Sequence, residues 1–596
     1  MQPELFDGVT DTPFVAAVNA SKPRIWARGT SLVMIWIEQF LIKYPELAVF
    51  LAISIGYLIG GLKLGGFSLG PVTGSLFAGI LIGQFADVPV AGMAKSFLFL
   101  LFLFGIGYSV GPQFLQALKR DGMKPVLLAV VVCVTGLLMS VVIAKLLRLD
   151  PGFAAGLLSG SLTESPAMGT ATEAINALPL PEADRARFVA HIAVADAVCY
   201  VFGAVGVILF CSVVGPWLLG IDLVAEALKL EKEYGITRKA AGVSSAWHRF
   251  EIRAYQIAAG APAAGLSIVT AEAAFPEHRL FIQRLRRAGT IIEAAPDVVI
   301  EPGDIVAVSG TREALVSVLG PRAEEIEDRE LLDVPVSICD VLLTSPDLKG
   351  RSIADLATES WTRSLYLRTI TRGSQDIPIA PGITVERGDI LRLVGPEAVV
   401  SSAAKRIGVV VAPPAATDFL VLGLAIFLGG LVGVLVTFPI GDMRISLSTS
   451  VGTLLAGLVV GHLRTRFPLF GRIPDAAVSL MTSLGLAAFV AMTGLHAGPV
   501  FASAIAEVGI GLLFGGMIVT TVPMIVGLYF GRYVLGMNPI LLLGGLAGAQ
   551  TMTAGMAAVQ DRSGSTVAVL GYTPAVPIGH ILLTTWGTVI VGIVAG

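Results

Sequence analysis

The charged residues of this 596-residue chain are so unevenly distributed that they dictate its architecture. Residues 221–405 carry 47 of the 85 Asp, Glu, Lys and Arg side chains, about a quarter of the positions there. The other 411 positions carry 38, about 9%, far below the ~25% that wets a soluble surface. A lipid-embedded protein with one soluble segment inserted midway satisfies both halves of that pattern. The 68 glycines agree, since closely packed membrane helices need small residues at their contacts. A formal net charge of −3 leaves no basic face for nucleic acid. Cys133, Cys199 and Cys211 lie in apolar runs and Cys339 in the soluble part, with neither a disulfide framework nor metal-ligand spacing. Residues 1–30 lack a cationic start leading into a cleavage site, so no signal peptide is expected.

Apolar stretches fall at about 46–62, 70–86, 96–117, 125–147, 152–178 and 188–214, then at 418–437, 447–463, 477–498, 505–530, 540–560 and 575–595. Several are short or interrupted against the ~20 residues that cross a bilayer. The run 31–42, ending near Glu38 and Lys43, reads as an interfacial helix or a lead-in to the first span. The two sets repeat each other. Gly74-Ser-Leu-Phe-Ala-Gly79 returns as Gly452-Thr-Leu-Leu-Ala-Gly457, Gly107-Tyr-Ser-Val-Gly111-Pro112 as Gly494-Leu-His-Ala-Gly498-Pro499, and Asp150-Pro151 as Asn538-Pro539. Gly160-Ser-Leu-Thr-Glu-Ser-Pro-Ala-Met168 returns as Gly548-Ala-Gln-Thr-Met-Thr-Ala-Gly-Met556, and His191 is paired with His580. Internal duplication is the usual ground plan of secondary transporters.

The fifth stretch of each half decides the parity. Its centre is polar, Ser161-Leu-Thr-Glu-Ser165 and Gln550-Thr-Met-Thr553, and non-helical backbone survives at membrane depth only where protein or water covers it. A re-entrant hairpin there leaves five crossings per half and therefore inverted repeats, whereas a sixth full span would make the repeats parallel. With 221–405 cytoplasmic, the inverted topology places Lys119, Arg120, Lys124, Arg464, Arg466 and Arg472 in cytoplasmic loops. The expected fold is a polytopic α-helical membrane protein of two inverted repeats, each of about five spans plus a hairpin, with an α+β insert. The expected limits are an extension over 1–45, a first repeat over 46–220, a charged linker helix over 221–249, insert units over 250–325 and 326–410, and a second repeat over 411–596.

The insert is itself duplicated at a constant offset. Arg287, Pro296, Glu301, Gly303, Asp304 and Gly310 recur as Arg372, Pro381, Glu386, Gly388, Asp389 and Gly395. Each copy reads strand, Gly-Asp turn, strand, then a short helix at about 311–320 and 396–406. These units resemble the TrkA-C domain, the C-terminal module of regulators of potassium conductance. Together with the two membrane motifs and Gly571-Tyr-Thr-Pro574 ahead of the last span, the tandem insert makes the chain resemble the aspartate:alanine exchanger family. That resemblance implies an electrogenic antiporter of the bacterial inner membrane, most directly aspartate for alanine, with succinate-type dicarboxylate export next. It also implies a homodimer, a regulatory role for the insert with a small molecule as its regulator, and contact with membrane lipid. A TrkA-C-gated cation channel or cation/proton antiporter is the alternative from another class. No nucleophile, metal or cofactor constellation is present, which argues against an enzyme.

A polar group at membrane depth costs several kcal/mol, on the order of 2–7, unless it is paired or hydrated, so the hairpin polar residues are the candidate substrate site. They are Thr163, Glu164, Ser165 and Pro166 in the first hairpin and Gln550, Thr551 and Thr553 in the second, with the half-helices beginning near Pro166 and Thr553 aiming positive dipole ends at a carboxylate. Glu164, whose repeat-mate is Met552, reads as an ammonium ligand, a proton carrier, or a hydrated acid at a cavity mouth. Asp196 reads as a further substrate ligand or as half of a helix–helix hydrogen bond. His191 and His580 are expected at the interface.

Overall fold

The computed structural model describes residues 32–595 except 65–66, 69, 118–122, 235–249, 276–279, 322, 373–374, 412–416, 441–442, 465–466 and 468–469. Most of the expected extension, much of the linker, and the loop residues Lys119, Arg120 and Arg466 thus lie outside the described residues. Helix α1 (Leu32–Lys43) meets α2 (Pro45–Gly61) at a bend of 111°, as a helix lying along the interface would. Trp36 stacks on Phe40 and Phe40 packs against Tyr44, an aromatic row suited to the headgroup level.

The first half continues with α3 (Pro71–Phe85), α4 (Gly92–Ala117), α5 (Met123–Leu147), the half-helices α6 (Pro151–Ser161) and α7 (Pro166–Asn176), and α8 (Glu182–Leu209), which runs on to Leu219. Helix α9 (Leu223–Tyr234) leads into the insert. The second half has α10 (Phe419–Leu435), α11 (Thr449–Arg464), α12 (Asp475–Ala497), α13 (Gly511–Tyr529), the half-helices α14 (Pro539–Ala549) and α15 (Thr553–Ser563), and α16 (Val569–Ala595). Among the described residues, six helices are long and apolar enough to cross a membrane: those containing α4, α5, α8, α12, α13 and α16. The first two helices of each half are shorter, and in both halves a two-stranded β-hairpin joins them.

Glycine contacts give the helix directions. Gly79 and Gly83 of α3 meet Ala491 and Leu495 of α12 in the same order, so these two run parallel. Gly107 and Gly111 of α4 meet Leu454 and Leu458 of α11, also parallel. Gly105 lies on Thr482 while Gly485 lies on Leu98 and Phe102, so α4 and α12 are antiparallel. It follows that α3 opposes α4, and hence that α3 opposes its own repeat-mate α11. The mates α5 and α13 are likewise antiparallel, with Gly515 on Ile143 and Gly527 on Val132. Opposed mates are what an inverted repeat requires.

These crossings depend on the missing side chain. A Cβ on Gly457 would overlap the Phe104 carbonyl, whereas one on Gly61 would meet nothing. Gly457→Val is expected to destabilise the protein by about 1–3 kcal/mol through overpacking. Gly61→Ala should be near neutral. Thermal unfolding of the purified pair checks this, and equal melting temperatures would refute it.

Helices α2–α4 pack with α10–α12 into one body, and α5–α8 pack with α13–α16 into a second that holds both hairpins. Between the bodies, the Glu173 carboxylate of α7 accepts from Thr449 Oγ1 at 2.8 Å and from the Ser450 N–H at the start of α11. An acid at a helix N-terminus is favourably placed.

In the insert, the first sheet contains β1 (Phe250–Gln256), β2 (Phe281–Arg287), β3 (Thr290–Glu293), β4 (Ile305–Thr311) and β5 (Glu324–Ile326), in the antiparallel order β3-β2-β4-β1-β5. The second contains β6 (Val336–Leu343), β7 (Tyr366–Arg372), β8 (Gln375–Ile377), β9 (Ile390–Pro396) and β10 (Gly408–Val410), in the corresponding order β8-β7-β9-β6-β10. The repeated residues are structural. Arg372 clamps the buried Asp389 carboxylate with bonds of 2.8 and 2.7 Å, and Arg287 does the same to Asp304 at 3.0 and 2.8 Å. Gly303 and Gly388 turn the chain at φ 93° and 95°, a region that favours glycine. Helix α9 buries Leu223, Ala227 and Leu230 beside α14 and α15, while the Tyr234 carbonyl accepts from the Gly382 N–H at 3.0 Å, so the second insert unit is tied to the second hairpin.

Candidate functional site

Each hairpin lies along the helix that follows it. Gly152, Gly156 and Gly160 of α6 climb α8 past Phe188, Ile192 and Asp196, and Gly203 faces the tip. Because α6 runs parallel to α8 and the chain then reverses into α7, the hairpin enters and leaves on one side. Gly544 and Gly548 of α14 climb α16 past Ala568 and Tyr572, and Gly579 faces that tip. Helix α14 also runs parallel to α5, with Gly545 on Leu128 and a bond from Cys133 Sγ to the Ala549 carbonyl, so the two hairpins approach from opposite sides.

This packing corrects one part of the sequence register. The hairpins align as expected, Thr163 with Thr551, but the helices behind them align through Gly203 and Gly579. The structural mate of Asp196 is therefore Tyr572, and that of His580 is Ala204, not His191. The cause is that α16 begins at Val569, level with Gly544, whereas α8 begins well before the level of Gly156.

The tips touch. Thr163 Oγ1 donates to the Gln550 carbonyl at 2.8 Å, and Thr551 Oγ1 donates to Glu164 Oε2 at 2.8 Å. Both threonines sit in the left-handed region, φ 55° and 53°, a conformation a β-branched residue holds only when its surroundings enforce it. Each tip is strapped from the opposite half: Thr520 Oγ1 donates to the Ser161 carbonyl at 2.8 Å, the counterpart of the Cys133 bond. Glu164 is 1% exposed, so it is not a hydrated acid at a mouth. Its Oε1 accepts from Thr584 Oγ1 at 3.0 Å and lies 3.2 Å from His580 Nδ1.

Other expected site residues divide. Ser165 is buried at the N-cap of α7 without a side-chain cap, and Pro166 opens that helix. Gln550 is 1% exposed, and neither end of its amide has a partner. Thr553 is exposed and bonds Tyr572 OH at 2.9 Å. Asp196 joins α6 to α8 by accepting from Ser159 Oγ at 2.5 Å. His191 is buried within the protein, 2.6 Å from Asp150 Oδ2 and stacked on Phe153 at the hairpin base. Sequence reasoning missed His580 and Thr584 as site residues. The available signal was polarity on an otherwise apolar final span, but nothing local showed that this face meets Glu164.

Comparison with known proteins agrees with this architecture. The family model described as Predicted Permease Membrane Region (Asp-Al_Ex) matches residues 48–216 and 421–592, and the TrkA-C domain model matches residues 252–319. An uncharacterized transporter of Bradyrhizobium diazoefficiens is 62% identical over 86% of this chain and 99% of its own length. An uncharacterized transporter of Shewanella oneidensis is 39% identical over 94% and 99%, and one of Bordetella bronchiseptica 38% over 92% and 96%. No solved structure matches. With both membrane halves matched and a TrkA-C model matching the first unit of the insert, the chain belongs to the Asp-Al_Ex permease family: it is a multi-pass membrane transporter carrying a TrkA-C domain.

Proposed function

We propose that the protein is a secondary antiporter of small carboxylates in the bacterial inner membrane, exchanging aspartate for alanine first and succinate-type dicarboxylates next, with the insert in the cytoplasm. One observation carries the reading: the two hairpin tips meet and bury a polar side chain, Gln550, whose amide has no partner. A buried polar group without a partner is costly, and a polar solute supplies one. Alternating access then follows from movement of the hairpin-bearing body against the other, across contacts such as Glu173 to Thr449. The orientation accords with Lys124, Arg464 and Arg472 on the cytoplasmic side.

Counterflow of labelled aspartate in proteoliposomes, with succinate and Rb⁺ as comparison solutes, tests the substrate class. Uptake driven by Rb⁺ and not by carboxylates would reject it in favour of a cation pathway. Exchange of monoanionic aspartate for zwitterionic alanine moves one net charge, so 100 mV biases it by about 2.3 kcal/mol. An imposed potassium diffusion potential should therefore shift heterologous exchange strongly while leaving aspartate–aspartate exchange balanced. Heterologous exchange indifferent to the potential would exclude this substrate pair.

A further inference from the structure

We propose that the Glu164 side chain occupies the seat a substrate carboxylate takes during transport, so that Glu164 is a resident competitor and Thr551, Thr584 and His580 are the substrate's anchors. The inference rests on the carboxylate-exchange reading above and names the groups that hold the anion.

The seat does not belong to the hairpin that fills it. Its donors come from the second tip and from α16, while Glu164 reaches in from the first tip. Two hydroxyls and an imidazole divide between the two carboxylate oxygens, Thr551 on Oε2 and Thr584 with His580 on Oε1. That is a complete donor set for any carboxylate, including a free one. The symmetric position shows that the fold needs no acid here: Met552 stands where Glu164 stands, and Thr163, in the same left-handed conformation as Thr551, donates to a backbone carbonyl instead. The unpaired Gln550 amide lies in the second tip, available to the remainder of a dicarboxylate or amino acid. Two carboxylates cannot share three donors without strong repulsion. Substrate entry therefore displaces Glu164, and substrate departure lets it return, so the buried donors are not left without an acceptor.

This makes a prediction opposite in sign to that for an ammonium ligand. Removing a competitor tightens binding, because apparent affinity scales with the fraction of time the seat is open. In the purified full-length protein, Glu164→Met, which copies the residue at the symmetric position, should bind both L-aspartate and succinate at least about tenfold more tightly by calorimetry. Glu164→Gln, which keeps a neutral acceptor for the two hydroxyls, should give a smaller rise, and it decides the matter if the Met variant lacks a cooperative melting transition. In the Glu164→Met background, where no resident carboxylate loses the same donor, His580→Ala and Thr584→Val should weaken both ligands. Unchanged or weaker binding of both ligands by a folded Glu164 variant would overturn the proposal, as would loss of aspartate alone with succinate unaffected. Wild-type counterflow accompanied by unchanged variant affinity would overturn only this inference. Wild-type protein that neither binds nor exchanges aspartate or succinate would overturn the exchange reading along with it.

Discussion

Arg372→Ala is expected to unfold the second unit of the insert well before the membrane body. Asp389 is fully buried, and its carboxylate depends on two bonds from Arg372 and one from the Glu386 N–H at 2.7 Å. Removing the cation leaves an uncompensated buried charge, a loss of about 3–5 kcal/mol. Replacing both residues with leucine should recover most of it, because an apolar pair of similar volume avoids the desolvation penalty. Limited proteolysis of the insert during a thermal ramp separates the three proteins. A wild-type cleavage profile for Arg372→Ala would show that the clamp contributes little.

The sister clamp adds a pH dependence of known sign. Burial pushes the Asp304 carboxyl up, but the Arg287 guanidinium and the Glu301 N–H outweigh it and hold the group below the usual carboxylate range. A group depressed on folding contributes its full stability above the unfolded pKa of about 3.9, and loses that contribution as pH falls through the folded value. Acid should accordingly loosen the insert below about pH 4, and less so in Arg287→Leu/Asp304→Leu.

At the tips, Thr551→Val should have the largest effect of the hydroxyl substitutions. In the Glu164→Met background it removes a donor to the substrate carboxylate, worth about 1.5–3 kcal/mol, or roughly ten- to a hundredfold in substrate affinity. Thr163→Val removes a bond to a neutral carbonyl, worth about 0.5–1.5 kcal/mol, and should act chiefly on the closed tip-to-tip state. Thr553→Val, at an exposed position bonded to Tyr572, should change affinity least. Counterflow half-saturation on protein of unaltered melting temperature measures the order. Equal effects at all three positions, or none, would mean that the hairpins do not hold the substrate.

Much of the fold was legible because its constraints act locally. A chain that must satisfy lipid shows long apolar runs, and a chain that breaks a helix at membrane depth shows Ser, Thr, Gly and Pro at the break, as at Ser161–Pro166 and Gln550–Thr553. The insert announced itself in the same way, since Arg287, Gly303 and Asp304 serve one turn and recur where that turn recurs. The tip residues could be named from the sequence for this reason, and so could the half-helices beginning at Pro166 and Thr553.

Partner choice was decided elsewhere. Thr551, His580 and Thr584 reach Glu164 across 387, 416 and 420 residues, and Glu173 reaches Thr449 across 276. Those meetings depend on how far each helix slides along its neighbour, which is set by glycine contacts between different parts of the chain rather than by any local pattern. A helix shifted by a few turns presents the same apolar composition to lipid, so the sequence alone paired His580 with His191 and expected both at the interface. Close packing of Gly579 on Ala549 and of Gly203 on Gly160 settled the slide, placing His580 against Glu164 and leaving His191 at the hairpin base.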